Sequence, residues 1–206
     1  MGNSVINATF ANYGTFQIDT GAWRLGEGGN QSRTGATTVI TSGATLYVAT
    51  GFDYTVAGGY INTSGTAVFR GVLVNDAGSL VLGTQTMAST FEIWGDYTQG
   101  ANASLAISVL GASHSQLNVS KWPNNNIGTG SVTLDGQVVF LISQSTPPGA
   151  TPAGGRPFLT YLARAGTFAS WTSTLPNGWN DMMMVHHQVT GIGLNANGTE
   201  YDYFIS

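Results

Sequence analysis

An imperfect internal repeat constrains the fold of this chain more than any other feature of the sequence. Four segments begin with a turn of small residues that contains glycine and continue with alternating apolar residues; these are 42–48 (SGATLYV), 64–70 (SGTAVFR), 77–82 (AGSLVL) and 100–109 (GANASLAISV). Their glycines lie at positions 43, 65, 78 and 100, so the first and third intervals are equal and the second is shorter. A recurring unit of this length is typical of a solenoid, in which each coil buries its apolar face against its neighbours.

The composition agrees with stacked strands rather than helices. Only 8% of the 206 residues are charged, whereas 42% are hydrophobic and 29 are glycine. An amphipathic helix would have too few charged residues for its polar face, and glycine favours tight turns. We therefore expect an all-β fold, a single right-handed parallel β-helix (β-solenoid) whose coils of about 20 residues each contain two or three short strands.

A β-sandwich or closed barrel is the alternative fold, because short alternating strands separated by turns are also its signature. Such folds need hairpins, for which Asn-Gly and Asp-Gly are the strongest short signals. Those dipeptides occur late in the chain, at Asp135-Gly136 and Asn177-Gly178. The early part of the sequence therefore favours the solenoid.

The texture of the sequence changes near residue 130. A strand, a turn and a continuous apolar strand cover 130–143, and the proline-rich segment 146–152 predicts a loop. Further short strands are predicted at 158–162, 185–189, 191–194 and 200–205. We interpret 1–129 as β-helix coils and 130–206 as terminal coils and an atypical C-terminal cap of the same domain, since a solenoid end needs a cover.

A series of motifs in the second half resembles the C-terminal passenger region of autotransporter-type β-helix proteins. They are GDYTQG at 95–100, ASLAISV at 103–109, SQLNVS at 115–120, GSVTLDG at 130–136, FLTYL at 158–162, GTFASW at 166–171 and LPNGW at 175–179. Their order and rough spacing match over residues 78–180. The resemblance implies a right-handed β-helix whose last coils and cap form a stability nucleus, on surface proteins that adhere or display.

Charge and cysteine content narrow the partners and the location. The net charge of −4 and a single lysine argue against nucleic acid, which needs clustered basic residues. No stretch approaches 18 consecutive apolar residues, so membrane insertion is not expected. The chain has no cysteine, so it forms no disulfides and its stability does not depend on the redox environment. We expect an extracellular, cell-surface or virion-surface protein that forms trimers or stacks on adjacent domains.

Aromatic residues on the outer surface are the candidate binding residues. Tyr47 lies between two apolar residues that we expect to face inward, so its ring should face outward, and Trp94 and Tyr97 flank a predicted turn at Gly95. Flat aromatic rings stack on sugars. These three residues predict a site for a glycan of a cell surface, a cell wall or a host. The interpretation of Trp94 as a core residue and of the tyrosines as ordinary surface residues remains open.

The alternative function is a polysaccharide lyase or hydrolase of β-helix architecture. The nearest pair of carboxylates is Glu92 and Asp96, four residues apart, and a glycosidase needs two carboxyl groups about 5–10 Å apart. No familiar catalytic pattern accompanies this pair, and we expect no catalytic residues and no cofactor. His186 and His187 are adjacent, so on a strand they face opposite sides and do not converge on a metal.

Six sequons are further candidate sites, for N-glycosylation. Their frequency is about twice that expected by chance, and Asn-rich turns also produce such triplets accidentally. The acceptor residues are Asn7, Asn30, Asn62, Asn102, Asn118 and Asn197.

Overall fold

The computed structural model describes residues 3–110, 113–122, 128–143, 156–174, 185–188 and 201–205 of the chain. These residues form strands, turns and bends and contain no helix. The all-β prediction is confirmed for this part of the chain.

The described residues form 22 strands, most of them of three to six residues. In the first half they are β1 (Asn3–Ile6), β2 (Phe10–Asn12), β3 (Thr15–Ile18), β4 (Ala22–Leu25), β5 (Gly29–Gln31), β6 (Thr37–Ile40), β7 (Thr45–Val48), β8 (Asp53–Val56), β9 (Tyr60–Thr63), β10 (Gly65–Asn75), β11 (Ser79–Leu82) and β12 (Ser89–Gln99). In the second half they are β13 (Ser104–Leu110), β14 (Ser113–His114), β15 (Gln116–Ser120), β16 (Ser131–Leu134), β17 (Gln137–Ile142), β18 (Arg156–Tyr161), β19 (Ala163–Gly166), β20 (Ser170–Ser173), β21 (Val185–Gln188) and β22 (Tyr201–Ile205).

Equivalent strands of successive coils pair in parallel and form three columns. The first column contains β1, β4, β7, the first halves of β10 and β12, β15 and β18. The second contains β2, β5, β8, the second halves of β10 and β12, β16 and β19. The third contains β3, β6, β9, β11, β13, β17 and β20. The result is a solenoid-like stack of parallel strands.

The register explains the uneven glycine spacing of the sequence repeat. In the third column Thr15 pairs with Thr37 and Thr37 pairs with Tyr60, so each of these steps along the chain is one coil. The glycines at 43 and 65 precede or begin strands of the first column, and those at 78 and 100 precede strands of the third. The intervals from 43 to 65 and from 78 to 100 are therefore one coil each. The shorter interval from 65 to 78 is the path from one corner of a coil to another.

Alternation along each strand builds a narrow apolar core between the columns. Leu46, Phe69 and Ile93 are partners on three consecutive coils, and each is completely buried. Burial of a side chain of this size contributes about 1.5–3 kcal/mol. Since every coil adds such residues to one continuous cluster, the repeat stabilises itself along its axis.

One corner of the stack is polar inside, which the sequence analysis did not predict. The side-chain amide of Gln31 is fully buried at the end of β5, and its Nε2 donates to the carbonyl oxygens of Ala36, Gly58 and Tyr60 at 3.2, 3.1 and 3.0 Å. Its Oε1 accepts from Asn12 Nδ2 at 3.1 Å. Buried amides at this corner thus add hydrogen bonds to backbone carbonyl oxygens of the neighbouring turns and strands.

Parallel pairing continues well past residue 130, through β16 and β17 to β19 and β20. The two last strands differ, since β22 pairs antiparallel with β18 and β21 pairs antiparallel with β22. Among the described residues the one other antiparallel pair joins β13 and β14. The sandwich or barrel alternative does not describe the three columns, because their pairing is parallel. The predicted strand at 191–194 lies outside the described residues.

Candidate binding site

Four outward-facing side chains lie in register along the first column, and we call them the outer row. Arg24 on β4 pairs with Tyr47 on β7, Tyr47 pairs with Arg70 on β10, and Arg70 pairs with Trp94 on β12. Arg24 is exposed and the other three are partly exposed. Because neighbouring strands lie about 4.8 Å apart, the outer row is a continuous line in which guanidinium groups alternate with aromatic rings.

Each arginine of the outer row lies against the next ring. The guanidinium carbon of Arg24 is 5.6 Å from the ring centroid of Tyr47, and that of Arg70 is 4.5 Å from the ring centroid of Trp94. Both distances lie within the range of cation–π attraction. These contacts favour positions of the guanidinium groups over the rings, with a gain of about 0.5–1 kcal/mol each at exposed sites.

Trp122 joins the outer row from another part of the chain. It follows β15 and reaches back over the row, where its ring centroid lies 5.3 Å from that of Tyr47 in an edge-on arrangement. The guanidinium carbon of Arg70 lies 5.4 Å from the Trp122 ring, so Arg70 contacts two indoles. Trp122 is only 8% exposed. It therefore acts as a wall that positions its neighbours rather than as a free stacking surface.

Arg24, Tyr47 and Arg70 of the outer row, together with Trp122, border a cavity of about 580 Å³, which Trp94 does not line. Small-molecule sites typically enclose roughly 300–1,000 Å³. The lining combines both arginines with apolar and aromatic groups; it includes Val5, Trp23, Arg24, Tyr47, Arg70 and Trp122. The cavity is thus large enough for an organic ligand and carries positive charge.

No carboxylate neutralises the two arginines within the part of the chain that the structure describes. Arg24 and Arg70 make cation–π contacts and no ion pair. The Nε atom of Arg70 is buried and has no hydrogen-bond partner. A buried donor of this kind is costly unless a partner satisfies it. The buried Nε is out of reach of a ligand, so the terminal guanidinium nitrogens of Arg24 and Arg70, which line the cavity, are the donors for an acceptor from outside the chain.

The structure tests the orientation of the three predicted aromatic residues. Tyr47 faces outward between the buried Leu46 and Val48, as predicted, and Trp94 also faces outward rather than into the core. The prediction that Tyr97 lies on the surface is wrong, because this residue is 1% exposed. Its hydroxyl donates to Gln99 Oε1 at 2.9 Å. Burial raises the pKa of Tyr97. Its inward position removes it from any surface site.

The turn predicted at Gly95 is also wrong, since Gly95 lies inside β12. Asp96 projects outward, and its Oδ1 accepts from the backbone N and side-chain hydroxyl of Thr129, at 2.7 and 3.0 Å, and from both groups of Ser131, at 3.0 Å each. Burial alone would raise the pKa of Asp96, but these hydrogen bonds outweigh it and hold the pKa below the usual value. The carboxylate thus anchors the segment that begins β16, a structural task that explains its position without catalysis.

Glu92, the other member of the carboxylate pair, accepts a hydrogen bond from Trp94 Nε1 at 3.2 Å. It does not line the cavity. This hydrogen bond connects Glu92 to the outer row and orients the Trp94 indole.

The two adjacent histidines lie on β21, opposite Phe204 and Tyr203 of β22. Within the described ranges, no group of three or more His, Cys, Asp or Glu residues is arranged to hold a metal ion. His186 and His187 thus lie on an antiparallel strand at the end of the sheet. In the strand order, β15, β18 and β22 separate it from β12, the last strand of the outer row.

The sequon asparagines have different environments. Asn7 and Asn102 are exposed, and Asn30 and Asn62 are partly exposed. Asn118 accepts a hydrogen bond from the Thr160 hydroxyl at 3.0 Å; Asn197 lies outside the described residues. Glycosylation at these positions stays a prediction.

Sequence reasoning missed Arg24, Arg70 and Trp122. A signal for the two arginines is present, because positions 24, 47, 70 and 94 recur at nearly equal intervals, each of one coil. Nothing comparable marks Trp122, which reaches the row through a loop.

Comparison with known protein families, curated proteins and solved structures finds no match to this chain. In the described residues there is also no helix with the length and hydropathy needed to cross a bilayer.

Proposed function

We propose that this chain is a right-handed parallel β-helix with a C-terminal cap that works as a non-catalytic structural or adhesive module and binds glycans at the outer row. The observation that carries the proposal is the in-register alternation of arginine and aromatic side chains beside a cavity of about 580 Å³. A regular row on a rigid sheet suits a ligand that is itself an extended polymer.

The chemistry of the row supports a saccharide. Sugar rings have apolar faces that stack on aromatic side chains and hydroxyl groups that accept hydrogen bonds from guanidinium donors. Tyr47 and Trp23 border the cavity and keep part of their surface exposed. Both arise from strands of the stack, which position their rings, whereas Trp122 comes from the segment after β15.

The biological setting belongs to the same proposal. A module of this kind would stand on a cell surface, in the extracellular space or on a virion, as autotransporter-type β-helices do, and would assemble as a trimer or stack on adjacent domains. The absence of cysteine supports an exposed location, because burial and strand pairing maintain the fold under any redox condition.

A glycan array tests the adhesive form of the proposal. The purified chain should retain a subset of glycans, and Tyr47→Ala should lose them while keeping the β-rich circular dichroism spectrum of the wild type. Tyr60→Ala is the matched control, because Tyr60 is an exposed tyrosine on β9, in the third column. If the wild type retains no glycan, only the structural part of the proposal stands.

The alternative enzyme function has less support from the geometry. Asp96 is occupied by four hydrogen bonds and Glu92 holds an indole. Incubation with pectin, alginate and bacterial glycans, followed by assays for reducing ends and unsaturated products, tests it. Product release that Glu92→Gln abolishes would favour the enzyme over the binding module.

A further inference from the structure

The cavity beside the outer row has the features of a site for an acidic saccharide, a class narrower than glycans in general. Two of the six basic residues of the chain, Arg24 and Arg70, border it. The protein as a whole is acidic, with a net charge of −4. Placing two guanidinium groups on one cavity wall of an acidic protein gives that wall a local positive potential.

The state of these arginines points to a carboxylate as the missing partner. Arg24 and Arg70 both line the cavity, and neither forms an ion pair in the described part of the chain. A guanidinium presents parallel N–H donors that match the two oxygens of a carboxylate. Glu92, two residues before Trp94 on β12, accepts a hydrogen bond from that indole and does not line the cavity.

Preorganisation of the donors also favours binding. The guanidinium carbon of Arg70 lies 4.5 Å from the Trp94 ring centroid and 5.4 Å from that of Trp122, so contacts with two indoles restrict the guanidinium before any ligand arrives. Fixing a donor in advance lowers the entropy lost on binding. An aromatic and apolar lining next to these charges suits the faces of a sugar ring that carries the carboxylate.

We infer that the cavity binds a polysaccharide whose sugars carry carboxylate groups, with Arg24 and Arg70 as the carboxylate-binding residues and Trp122 as the residue that positions Arg70. The inference rests on the proposed glycan-binding function and names the class of glycan. A single-stranded nucleic acid also combines charge with stacking faces, but its backbone requires a groove of clustered basic residues, and two arginines do not provide one.

Calorimetric titration of the full chain with oligogalacturonate, and with a neutral glucan of equal length, tests the inference. The acidic oligosaccharide should bind and the neutral one should bind at least about tenfold more weakly, because a carboxylate bound by guanidinium donors is a charge-assisted hydrogen-bonded pair. Added NaCl should lower the affinity for the acidic oligosaccharide and leave the affinity for the neutral one unchanged.

Charge-removal variants locate the site. Arg24→Gln, at an exposed position, should weaken oligogalacturonate by about tenfold. Arg70→Lys keeps the charge but loses the planar fork and should also weaken it. Arg33→Gln is the matched control, because the substitution removes the same charge from an arginine that lies over Tyr13 and does not line the cavity. The affinity of this variant for oligogalacturonate should equal that of the wild type.

The possible outcomes separate the inference from the proposal beneath it. Equal binding of acidic and neutral oligosaccharides, or equal losses in Arg24→Gln and Arg33→Gln, overturns the acidic class and leaves glycan binding intact. Binding of neither oligosaccharide, together with no glycan retained on the array, overturns the acidic class and glycan binding alike and leaves only the structural part of the proposal. Tighter binding of single-stranded oligodeoxythymidylate than of oligogalacturonate, lost in Arg24→Gln, overturns the saccharide in favour of nucleic acid.

Discussion

The guanidinium carbon of Arg70 lies 4.5 Å from the ring centroid of Trp94, its partner on the next coil. The same guanidinium contacts Trp122, which arrives from beyond β15. A basic residue on the outer face of the stack thus contacts two indoles and keeps part of its surface in the cavity. The position of Arg70 therefore depends both on the register of its own strand and on Trp122, two residues beyond the end of β15.

Loss of Trp122 should destabilise the stack. Trp122→Ala removes a ring that is 8% exposed and that covers Tyr47 and Arg70, and we expect the free energy of unfolding in urea to fall by about 2–4 kcal/mol. Phe52→Ala is the control, because Phe52 is 45% exposed and should change the stability by no more than about 0.5 kcal/mol. Equal effects of the two substitutions would contradict the wall role of Trp122.

Replacement of the buried Gln31 amide by an apolar group of similar size should lower the free energy of unfolding, because the hydrogen bonds of the amide are lost. Gln31→Leu keeps a side chain of similar size but removes the donor to three backbone carbonyls, of which that of Ala36 keeps a second donor, the Tyr60 N–H. It also removes the acceptor of Asn12 and Thr38, so we expect a loss of about 3 kcal/mol in urea unfolding. Gln17→Leu, on an exposed position of β3, is the matched control and should be nearly neutral. A stable Gln31→Leu variant would show that water replaces the amide.

Asp96 predicts a pH dependence of stability. The pKa of its carboxyl is lower in the folded than in the unfolded protein, so its stabilising contribution is present above the unfolded value of about 4 and is lost as the pH falls through the folded pKa. Asp96→Asn should lower the free energy of unfolding at neutral pH by about 1 kcal/mol. The difference from the wild type should shrink in urea titrations at successively lower pH.

Asp53→Asn serves as the control for that experiment. Asp53 is exposed and accepts one side-chain hydrogen bond, from the Thr55 hydroxyl. Its substitution should have a small effect at every pH. A difference between Asp96→Asn and the wild type that stays constant down to acidic pH would contradict an anchor that acts through its charge.

Gly95 should tolerate no side chain. A Cβ added there would overlap with the carbonyl oxygen of Gly71 on the preceding coil. Gly71 is the direct partner of Gly95 in the parallel pairing of β10 with β12. We expect Gly95→Ala to lower the urea unfolding free energy by about 3 kcal/mol through overpacking. Gly35→Ala, where an added Cβ meets no atom within 4 Å, is the control. Equal stability of both variants would show that the coils separate easily.

Local patterns made much of this architecture predictable. Alternation in segments such as 42–48 correctly placed Leu46 and Val48 inside and Tyr47 outside, because successive side chains of a strand point to opposite faces. The same rule would have placed Tyr97 inside, but the assumption of a turn at Gly95 broke the alternation. β12 runs through that glycine, so the alternation continues from Phe91 to Gln99 and buries the tyrosine.

The candidate site was only half visible in the sequence. Once the coil length is known, the spacing of Arg24, Tyr47, Arg70 and Trp94 predicts their register, yet the uneven glycine spacing hides that length. The anchoring of Asp96 by Thr129 and Ser131 gives no such signal, since it joins distant parts of the chain through a turn.

By itself the sequence determined the class of structure, a repeating stack of short strands, because strand alternation and glycine turns depend on neighbouring residues only. The tertiary structure alone decided which side chains from distant coils and loops meet. The return of Trp122 over Arg70 and the polar corner around Gln31 both depend on how turns of different length pack against the stack. That packing is a property of the whole coil assembly, and no local pattern specifies it.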